Sequence, residues 1–355
     1  MKNLSKQLVK YSVMTILISL LSACNSDDDS NSQQNPLFGQ WEITSGDFIY
    51  GSDQFTSFNS NGTVDIFRET EDGFRGKFSP TYRISGDEVI IDGVGGQGDP
   101  GTFSYTLEAG VLTLSAGMRT IVLQRMESAS EPSSWITELS VLSVGNAPYN
   151  GEVDMAFTYD KSAIVYGKTN ASDAITLVDP NTFEIVGNIP TTHSAHAVEV
   201  EKFNSPDRYV FQSDNGSARF HGYFENTNRL DVTSIELGAW IGGLASVNDQ
   251  EVWASSNNES SIYLYNYLSQ IVNKTIELDI QPQGLDYQNG FLYVSDGSSL
   301  HKCQVSPSFE VLESYTLPNM AIDGIAFDGI NFWVNGYDFS NDAYKLIKTS
   351  LTLQQ

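Results

Sequence analysis

Five short apolar runs that end on an aromatic residue recur at nearly regular spacing in the last two thirds of this 355-residue chain. They end at Val165-Tyr166, Val210-Phe211, Val252-Trp253, Leu292-Tyr293 and Phe332-Trp333. Successive aromatics lie 45, 42, 40 and 40 residues apart. Each pair falls within a short run that is typical of a β-strand. A period of about 40 residues with strands at fixed offsets indicates a repeated β architecture.

Each repeat holds strand candidates for one four-stranded blade of a β-propeller. The fifth repeat has candidates for only three strands before Gln355. Because a propeller has to close its ring, we expect a segment near residues 135–142 to supply the missing strand. The sequence thus predicts an all-β chain with a five-bladed propeller over residues 128–355. The five aromatics should pack between neighbouring blades, all at the same depth.

Residues 37–127 alternate between apolar and polar positions in short runs separated by turn residues, which predicts a separate β-domain. Asn61-Gly62 is a strong hairpin signal. Further turns are predicted at Ser85-Gly86-Asp87 and Glu108-Ala109-Gly110. About eight antiparallel strands follow from this pattern, which suits a small barrel or a curled sheet.

Four short motifs in this domain carry a family resemblance. They are Gly39-Gln40-Trp41, the run from Phe58 to Gly62, the run from Tyr82 to Asp87, and Leu112-Thr113-Leu114. Their order resembles the bacterial lipocalin-like domain of envelope lipoproteins. The resemblance implies a small antiparallel barrel without catalytic residues. Such a barrel either holds an apolar ligand or is filled by its own side chains.

The first two repeats of the second domain resemble the YVTN-type propeller repeat. The resemblance rests on the run from Leu177 to Pro190, on His196-Ala197-Val198 and on Tyr209-Val210-Phe211. It implies a propeller blade but no particular activity, since propellers of this kind host both binding and catalysis.

Residues 1–23 have the features of a secretory signal peptide. Three lysines precede an apolar stretch from Tyr11 to Leu21, which is too short for a membrane span of ~20 residues. The following Leu21-Ser22-Ala23-Cys24 resembles the bacterial lipobox, which implies a lipid on Cys24. Asn25 in place of an aspartate favours the outer membrane of a Gram-negative bacterium. Residues 24–36 are almost entirely polar, which predicts a flexible tether.

The chain carries 44 acidic and 19 basic residues, for a net charge of −25. Nucleic-acid binding needs clustered Lys and Arg, so we expect no nucleic-acid partner. The lipid on Cys24 would attach the protein to the membrane, and the remaining partner would be a protein or a glycan. The sequence leaves the oligomeric state open. With Cys24 lipidated, Cys303 has no partner for an intrachain disulfide and is predicted to be a core residue.

In a propeller, functional groups lie on the face formed by the loops that enter the inner strands and the loops between the second and third strands. Mapping the repeats onto that face predicts seven ligand-binding residues: His193, His196, Asp214, Gln283, Asp296, Asp323 and Tyr337. The His193–His196 spacing could chelate a metal, but no third ligand has an obvious place. We therefore expect no metal and no cofactor.

Two functions fit these predictions. The first is a non-catalytic envelope lipoprotein that binds a protein, glycan or small molecule on the polar face of the propeller. The alternative is a glycosidase-like or cyclase-like hydrolase or lyase at the central cleft. Pro282-Gln283-Gly284-Leu285 resembles a motif of five-bladed glutaminyl cyclases, but Ile322-Asp323-Gly324-Ile325 lacks the glutamates of their next motif. An enzyme should bring acids with raised pKa values together in the centre.

Lipid carriage by the first domain is a third possibility, which an internal apolar cavity would support and a filled barrel would contradict.

Overall fold

The computed structural model describes residues 35–48, 53–94, 100–126, 136–168, 175–189, 191, 194–201, 209–213, 219–224, 230–237 and 240–353. The elements found in these ranges are all β-strands, so the described part of the chain is all-β, as predicted. It contains no helix long and apolar enough to cross a membrane. Residues 38–355 form one compact unit. The predicted signal peptide and Cys24 lie outside the described residues.

The N-terminal strands form one nine-stranded antiparallel sheet with the order β4-β3-β2-β1-β9-β8-β7-β6-β5. Its strands are β1 (Gly39–Ser45), β2 (Asp53–Phe58), β3 (Val64–Glu69), β4 (Arg75–Phe78), β5 (Tyr82–Ser85), β6 (Glu88–Ile91), β7 (Gly101–Glu108), β8 (Val111–Ala116) and β9 (Arg119–Arg125). The turns predicted at Gly62, Gly86 and Gly110 join consecutive strands, and all three glycines have positive φ. Left-handed backbone of this kind favours glycine because it has no Cβ.

The sheet curls so that the start of its edge strand β5 meets the start of β3, next to the opposite edge. Thr63, just before β3, forms a bridge with Thr81, just before β5. The Tyr82 amide also donates to the Gly62 carbonyl at 2.8 Å. The enclosed space holds large side chains, and Trp41, Phe58 and Phe103 are almost completely buried there. The observed shape is a curled half-barrel filled with aromatic side chains.

The second half of the chain forms four four-stranded sheets and one five-stranded sheet. The bounds are β10 (Thr137–Glu138), β11 (Val141–Asn146), β12 (Met155–Phe157), β13 (Ile164–Tyr166), β14 (Ile175–Val178), β15 (Ile185–Ile189), β16 (Val198–Val200), β17 (Tyr209–Ser213), β18 (Arg219–Phe224), β19 (Leu230–Glu236), β20 (Ile241–Ser246), β21 (Glu251–Ser256), β22 (Ser261–Asn266), β23 (Ile271–Glu277), β24 (Leu285–Gln288), β25 (Phe291–Ser295), β26 (Leu300–Gln304), β27 (Glu310–Thr316), β28 (Gly324–Phe327), β29 (Asn331–Asp338) and β30 (Ala343–Thr352).

These sheets are arranged like the blades of a propeller. We number them in chain order: sheet 1 is β12–β15, sheet 2 is β16–β19, sheet 3 is β20–β23, sheet 4 is β24–β27 with β10, and sheet 5 is β28–β30 with β11. The inner strands β12, β16, β20, β24 and β28 each contact the next, and β28 contacts β12. Clusters of buried apolar side chains fill the spaces between the sheets. Burial of these facing surfaces holds the arrangement together.

The segment expected to supply the closing strand divides between two sheets. β11 pairs antiparallel with β30 of sheet 5 and runs to Asn146, beyond the expected residues 135–142. β10 instead pairs parallel with β27 of sheet 4. Leu139 lies between them and is buried in the cluster that separates sheets 4 and 5. Burial of this one side chain accounts for the passage of the chain from one sheet to the next.

Tyr166, the aromatic residue of the first repeat, faces the opposite side of its sheet from the other four aromatics. Tyr166 pairs with Met155 and lies in the cluster between sheets 5 and 1, where it joins Trp333. Each of the other four aromatics instead lies in the cluster between its own sheet and the one that follows. Val165 takes this role in sheet 1. Adjacent strand residues face opposite sides, so a shift of one place in the sequence turns Tyr166 toward the preceding sheet.

Candidate functional site

The chain enters all five inner strands at one end of the central axis, and one residue from each sheet meets its neighbours there. We call these five residues the mouth ring: Val153, His196, Gly242, Gln283 and Asp323. Hydrogen bonds at this level join sheets 1 and 2, sheets 4 and 5, and sheets 5 and 1. The Asp154 amide donates to the His196 carbonyl at 3.0 Å, and the Gly284 amide donates to the Asp323 carbonyl at 2.8 Å. Asn335 Nδ2 donates to the Val153 carbonyl at 3.0 Å.

Glycine residues allow this close approach. A Cβ on Gly284 would lie 2.4 Å from the Asp323 carbonyl oxygen, and one on Gly243 would lie 2.2 Å from that of Gln283. A Cβ on Gly324 would be 2.4 Å from the Val153 oxygen. The glycines that open three of the repeats are therefore required by packing at the axis.

Asp323 is the most unusual member of the mouth ring. It is 5% exposed, and its Oδ2 has no hydrogen-bond partner among the described residues. Burial raises its pKa well above the ordinary range, and the charge of Glu152 raises it further. A buried carboxyl group without a partner is costly unless a proton or a ligand satisfies it. Burial therefore favours the neutral form of Asp323 and leaves its Oδ2 available to a ligand.

His196 lies on the other side of Val153 in the mouth ring. Its Nδ1 is buried without a hydrogen-bond partner among the described residues. Burial lowers its pKa to about 4, so the imidazole is neutral at neutral pH. Its ring packs 5.6 Å from that of Trp240, whose side chain remains 37% exposed. The pair offers one unsatisfied polar atom beside an accessible aromatic face.

A pocket of about 280 Å³ lies on sheet 1 and is lined by Tyr149, Asn150, Gly151, Val153, Tyr166, Gly167 and Lys168. Val153 forms part of its wall, and Lys168 Nζ sits 4.0 Å from the Tyr149 ring centre at its rim. On the His196 side, the Ala195 amide donates to the Lys168 carbonyl at 3.0 Å. Val153 is thus the mouth-ring residue that lines the pocket, and its neighbours His196 and Asp323 are not part of the lining.

The side of the pocket nearer Asp323 is built by residues of sheets 1 and 5. The Tyr166 hydroxyl donates to Asn335 Oδ1 at 3.1 Å, and the Asp323 amide donates to the Asn335 carbonyl at 2.9 Å. Burial is the main cause that raises the pKa of Tyr166. The register of Tyr166 places a phenol at a position where three of the other repeats have Ala254, Val294 and Val334 and the second repeat has Gln212.

A second buried acid, Asp154, closes the axis just inside the mouth ring. Its Oδ1 accepts the Ile325 amide at 3.1 Å and its Oδ2 accepts the Leu244 amide at 3.0 Å. Burial raises its pKa in spite of these bonds, and Glu199 contributes to the increase. Asp154 therefore ties sheets 1, 3 and 5 together, and both of its oxygens are engaged in doing so.

The structure describes five of the seven predicted ligand-binding residues, and they do not all lie together. His196, Gln283 and Asp323 come together in the mouth ring. His193 and Asp214 lie outside the described residues. Tyr337 lies elsewhere, where its hydroxyl donates to Asp342 and its ring packs against Phe339.

The structure places Asp296 in the junction between the curled sheet and sheet 4, away from the mouth ring. Arg68 of β3 donates to Asp296 Oδ2. His301 Nε2 lies 2.9 Å from the same oxygen, and His301 Nδ1 lies 2.9 Å from Ser314 Oγ. These side chains are buried, and Phe74 packs edge-on against the imidazole at 4.9 Å. The serine–histidine–aspartate connection is therefore part of a packed junction.

Sequence reasoning passed over Asp154 as a candidate, although a signal was present. Asp154 opens the apolar run Asp154-Met155-Ala156-Phe157, where the other repeats have a small residue. An acid at the start of a fully buried strand needs dedicated partners. Within the described ranges, no group of three or more His, Cys, Asp or Glu side chains is arranged to hold a metal ion.

No protein-family model matches the chain, and no curated protein matches its sequence. Among solved structures, the glutaminyl cyclase of Myxococcus xanthus is 9% identical with a TM-score of 0.47, over 62% of this chain and 100% of the cyclase. The WD40 propeller domain of Doa1 is 11% identical with a TM-score of 0.38, over 89% and 98%. The Neurospora crassa Pan2 WD40 domain is 12% identical with a TM-score of 0.33, over 87% and 91%. Similarities this low carry no functional conclusion.

Proposed function

We propose that this chain is a cell-envelope lipoprotein whose propeller mouth binds a small neutral, hydroxylated ligand such as a sugar unit of a glycan, without catalysis. The observation that carries the binding proposal is a pair of buried atoms without a hydrogen-bond partner among the described residues, His196 Nδ1 and Asp323 Oδ2. They belong to the two mouth-ring residues next to Val153, which lines the 280 Å³ pocket. Specific ligands are recognised by a few polar groups of this kind in a concave site.

The chemistry of the pair favours a neutral ligand over a cation. Burial raises the pKa of Asp323 and so favours its neutral form, and the lowered pKa of His196 favours the uncharged imidazole. A protonated carboxyl can donate and accept a hydrogen bond, and a neutral imidazole nitrogen can do either according to its tautomer. Hydroxyl groups match both partners, and the ring of Trp240, which is 37% exposed, suits the apolar face of a sugar ring.

Saturation-transfer NMR with glucose, galactose and N-acetylglucosamine tests the proposal on residues 24–355 carrying Cys24→Ser. We expect a transfer signal that Asp323→Ala abolishes and Asp323→Asn retains, because the amide keeps the size and neutrality of the protonated acid. Asp249→Ala, at an exposed acid, serves as the matched control. Absence of any signal, or equal losses in Asp249→Ala and Asp323→Ala, would contradict the proposal.

We also propose a domain architecture and a cellular location for this chain. The five sheets are the blades of a five-bladed propeller, the curled sheet is a lipocalin-like module, and residues 24–36 tether both to a lipid on Cys24 in the outer membrane of a Gram-negative bacterium. The lipobox-like Leu21-Ser22-Ala23-Cys24 supports the address. Radiolabelled palmitate should enter the wild-type chain in cells and should not enter Cys24→Ser. Label in both forms would exclude Cys24 as the acceptor.

A second candidate function, a hydrolase or lyase, is favoured by one observation. Two buried acids with raised pKa values, Asp154 and Asp323, lie at the same axis. A Cβ at Gly284 would lie 2.8 Å from Asp154 Oδ1 and 2.4 Å from the Asp323 carbonyl oxygen. Because both Asp154 oxygens bond to backbone amides, Asp323 would be the general acid. Turnover of chromogenic glycosides that Asp323→Asn reduces more than 100-fold, while sugar binding persists, would identify an enzyme.

A further inference from the structure

A second cleft, of about 640 Å³, lies where the curled sheet meets sheet 5. It shares no lining residue with the pocket beside Val153. The curled sheet contributes Phe78 and Asp92 to the lining, and the β29–β30 hairpin region contributes Tyr337, Phe339 and Asp342. An occupant would therefore contact both modules, and junctions between modules are common ligand sites.

Three aromatic rings line this cleft, and the Phe339 ring stands nearly perpendicular to each of the other two. The ring centres of Phe78 and Phe339 are 5.2 Å apart with an interplanar angle of 72°. Those of Tyr337 and Phe339 are 5.4 Å apart at 75°. Phe339 is 38% exposed in spite of these contacts. Rings set at such angles form adjoining walls, and the negative face of an aromatic ring attracts a cation.

The charged side chains that line the cleft, Asp92 and Asp342, are acidic, which suits a cation. Asp342 accepts the hydroxyl of Tyr337 and Asp92 accepts that of Thr81. No lysine or arginine lines the cleft. Arg83 approaches Asp92 at 3.4 Å, but its side chain is 59% exposed. The net charge of −25 adds a general attraction for cations.

We propose that this cleft binds an alkylammonium group, held by the Phe78, Tyr337 and Phe339 rings and by the carboxylates of Asp92 and Asp342. The aromatic walls take the apolar substituents of the cation, and the two acids balance its charge. A neutral molecule of the same shape gains only the apolar contacts. Preference for the cation over the neutral molecule distinguishes a cation site from a purely apolar cleft. This proposal does not depend on ligand binding at the mouth ring.

Calorimetry with choline and its uncharged isostere 3,3-dimethyl-1-butanol tests the proposal on residues 24–355 carrying Cys24→Ser, which include the whole compact unit 38–355. We expect choline to bind at least tenfold more tightly than the alcohol. Phe339→Leu should weaken choline binding at least tenfold, because leucine keeps the apolar contact and removes the ring face. Tyr159→Leu removes a ring that is 53% exposed elsewhere and should leave choline binding unchanged.

Asp342→Asn gives a second variant with all three rings intact, and we expect at least threefold weaker choline binding. A parallel titration with N-acetyl-lysine amide distinguishes the sources of the cation: tighter binding than choline indicates a lysine side chain of a peptide, and weaker binding indicates a quaternary headgroup. Equal affinity for choline and the neutral alcohol would overturn the proposal. So would the absence of choline binding, or undiminished binding in Phe339→Leu with a native circular dichroism spectrum.

Discussion

Arg68 of the curled sheet and Asp296 of sheet 4 form a buried ion pair, with their side chains 7% and 0% exposed. Arg68 also donates to Ser298 Oγ at 2.7 Å, and the Ser298 and Ser299 amides donate to Asp296 Oδ1 at 2.9 Å each. The two modules are thus joined by a charge pair whose hydrogen bonds are supplied from both sides. This explains why residues 38–355 behave as one compact unit.

Removing the cation from this junction should destabilise the protein strongly. Arg68→Met leaves the Asp296 carboxylate buried without its counter-ion, and we expect a loss of about 3–5 kcal/mol in the free energy of unfolding. Arg75→Met provides the control, because its ion pair with Glu69 is exposed at 40% and 26% and should contribute less than ~1 kcal/mol. Urea unfolding measures both, and comparable losses would show that the buried pair has no special role.

The same junction should make stability depend on acid pH. Burial disfavours the Asp296 carboxylate, but Arg68 and His301 outweigh burial and hold its pKa well below the usual range. A group with a depressed folded-state pKa stabilises the protein above the unfolded pKa of ~3.9, and that contribution is lost as the pH falls below it. Unfolding of wild type and Asp296→Asn at pH 5 and pH 3 should show the larger loss in wild type. A parallel decline would count against this assignment.

The two acids at the axis should respond in opposite ways to the same substitution. Asp323→Asn removes the cost of burying an ionisable group whose pKa is raised. We therefore expect higher stability than wild type at pH 7, with the difference shrinking toward pH 4 as the unfolded carboxyl becomes protonated. Asp154→Asn sets an amide NH₂ against the Leu244 or Ile325 amide, which should cost about 1–3 kcal/mol. Thermal unfolding at both pH values separates the two, and equal shifts would refute the distinction.

His196 should produce a stability change in a different pH range. Its pKa falls from 6.5 to about 4 because it is buried, so the unfolded chain binds a proton below pH 6.5 that the folded chain does not. Stability should then decrease by up to about 1.4 kcal/mol per pH unit between 6.5 and 4. His196→Gln should flatten this part of the profile. A variant that retains the full wild-type slope in chemical denaturation would contradict the prediction.

Gly284, which directly precedes β24, should tolerate replacement by alanine far less well than Gly242 of the mouth ring. A Cβ on Gly284 would lie 2.4 Å from the Asp323 carbonyl oxygen, whereas one on Gly242 meets nothing closer than 3.6 Å. Gly284→Ala should cost about 1–3 kcal/mol through overpacking, and Gly242→Ala should change stability by less than ~1 kcal/mol. The two melting temperatures provide the test, and a Gly284→Ala protein as stable as Gly242→Ala would be inconsistent with contact at the axis.

Much of the fold was predictable from local patterns. The alternation of apolar residues and the glycine turns at Gly86 and Gly110 placed the strands of the curled sheet, because both signals depend on neighbouring residues only. The aromatic period likewise predicted the propeller-like sheets. The register of Tyr166 was missed, because the apolar-aromatic pair looks the same whichever side of the sheet its aromatic faces. Contacts with Trp333 and Asn335, almost 170 residues away, decide that side.

The candidate site was predictable in part for the same reason. Position within the repeat was enough to select His196, Gln283 and Asp323, which the structure brings into one ring. Position alone also selected Asp296 and Tyr337, whose surroundings come from the curled sheet and the β29–β30 hairpin. No repeat pattern within the propeller carries information about Arg68, which lies 228 residues from Asp296.

By itself, the sequence determined that this protein is built of β-strands, that its second half is a repeat, and that its surface is strongly acidic. These properties depend on composition and on contacts between residues close in the chain. Only the tertiary structure decided which acids are buried, which are paired and which are unsatisfied. Burial and pairing shift the chemistry of a carboxyl group far more than its identity does, and both depend on where distant strands bring their side chains. Asp154, Asp296 and Asp323 therefore serve as a tie across the axis, a junction ion pair and a candidate ligand group.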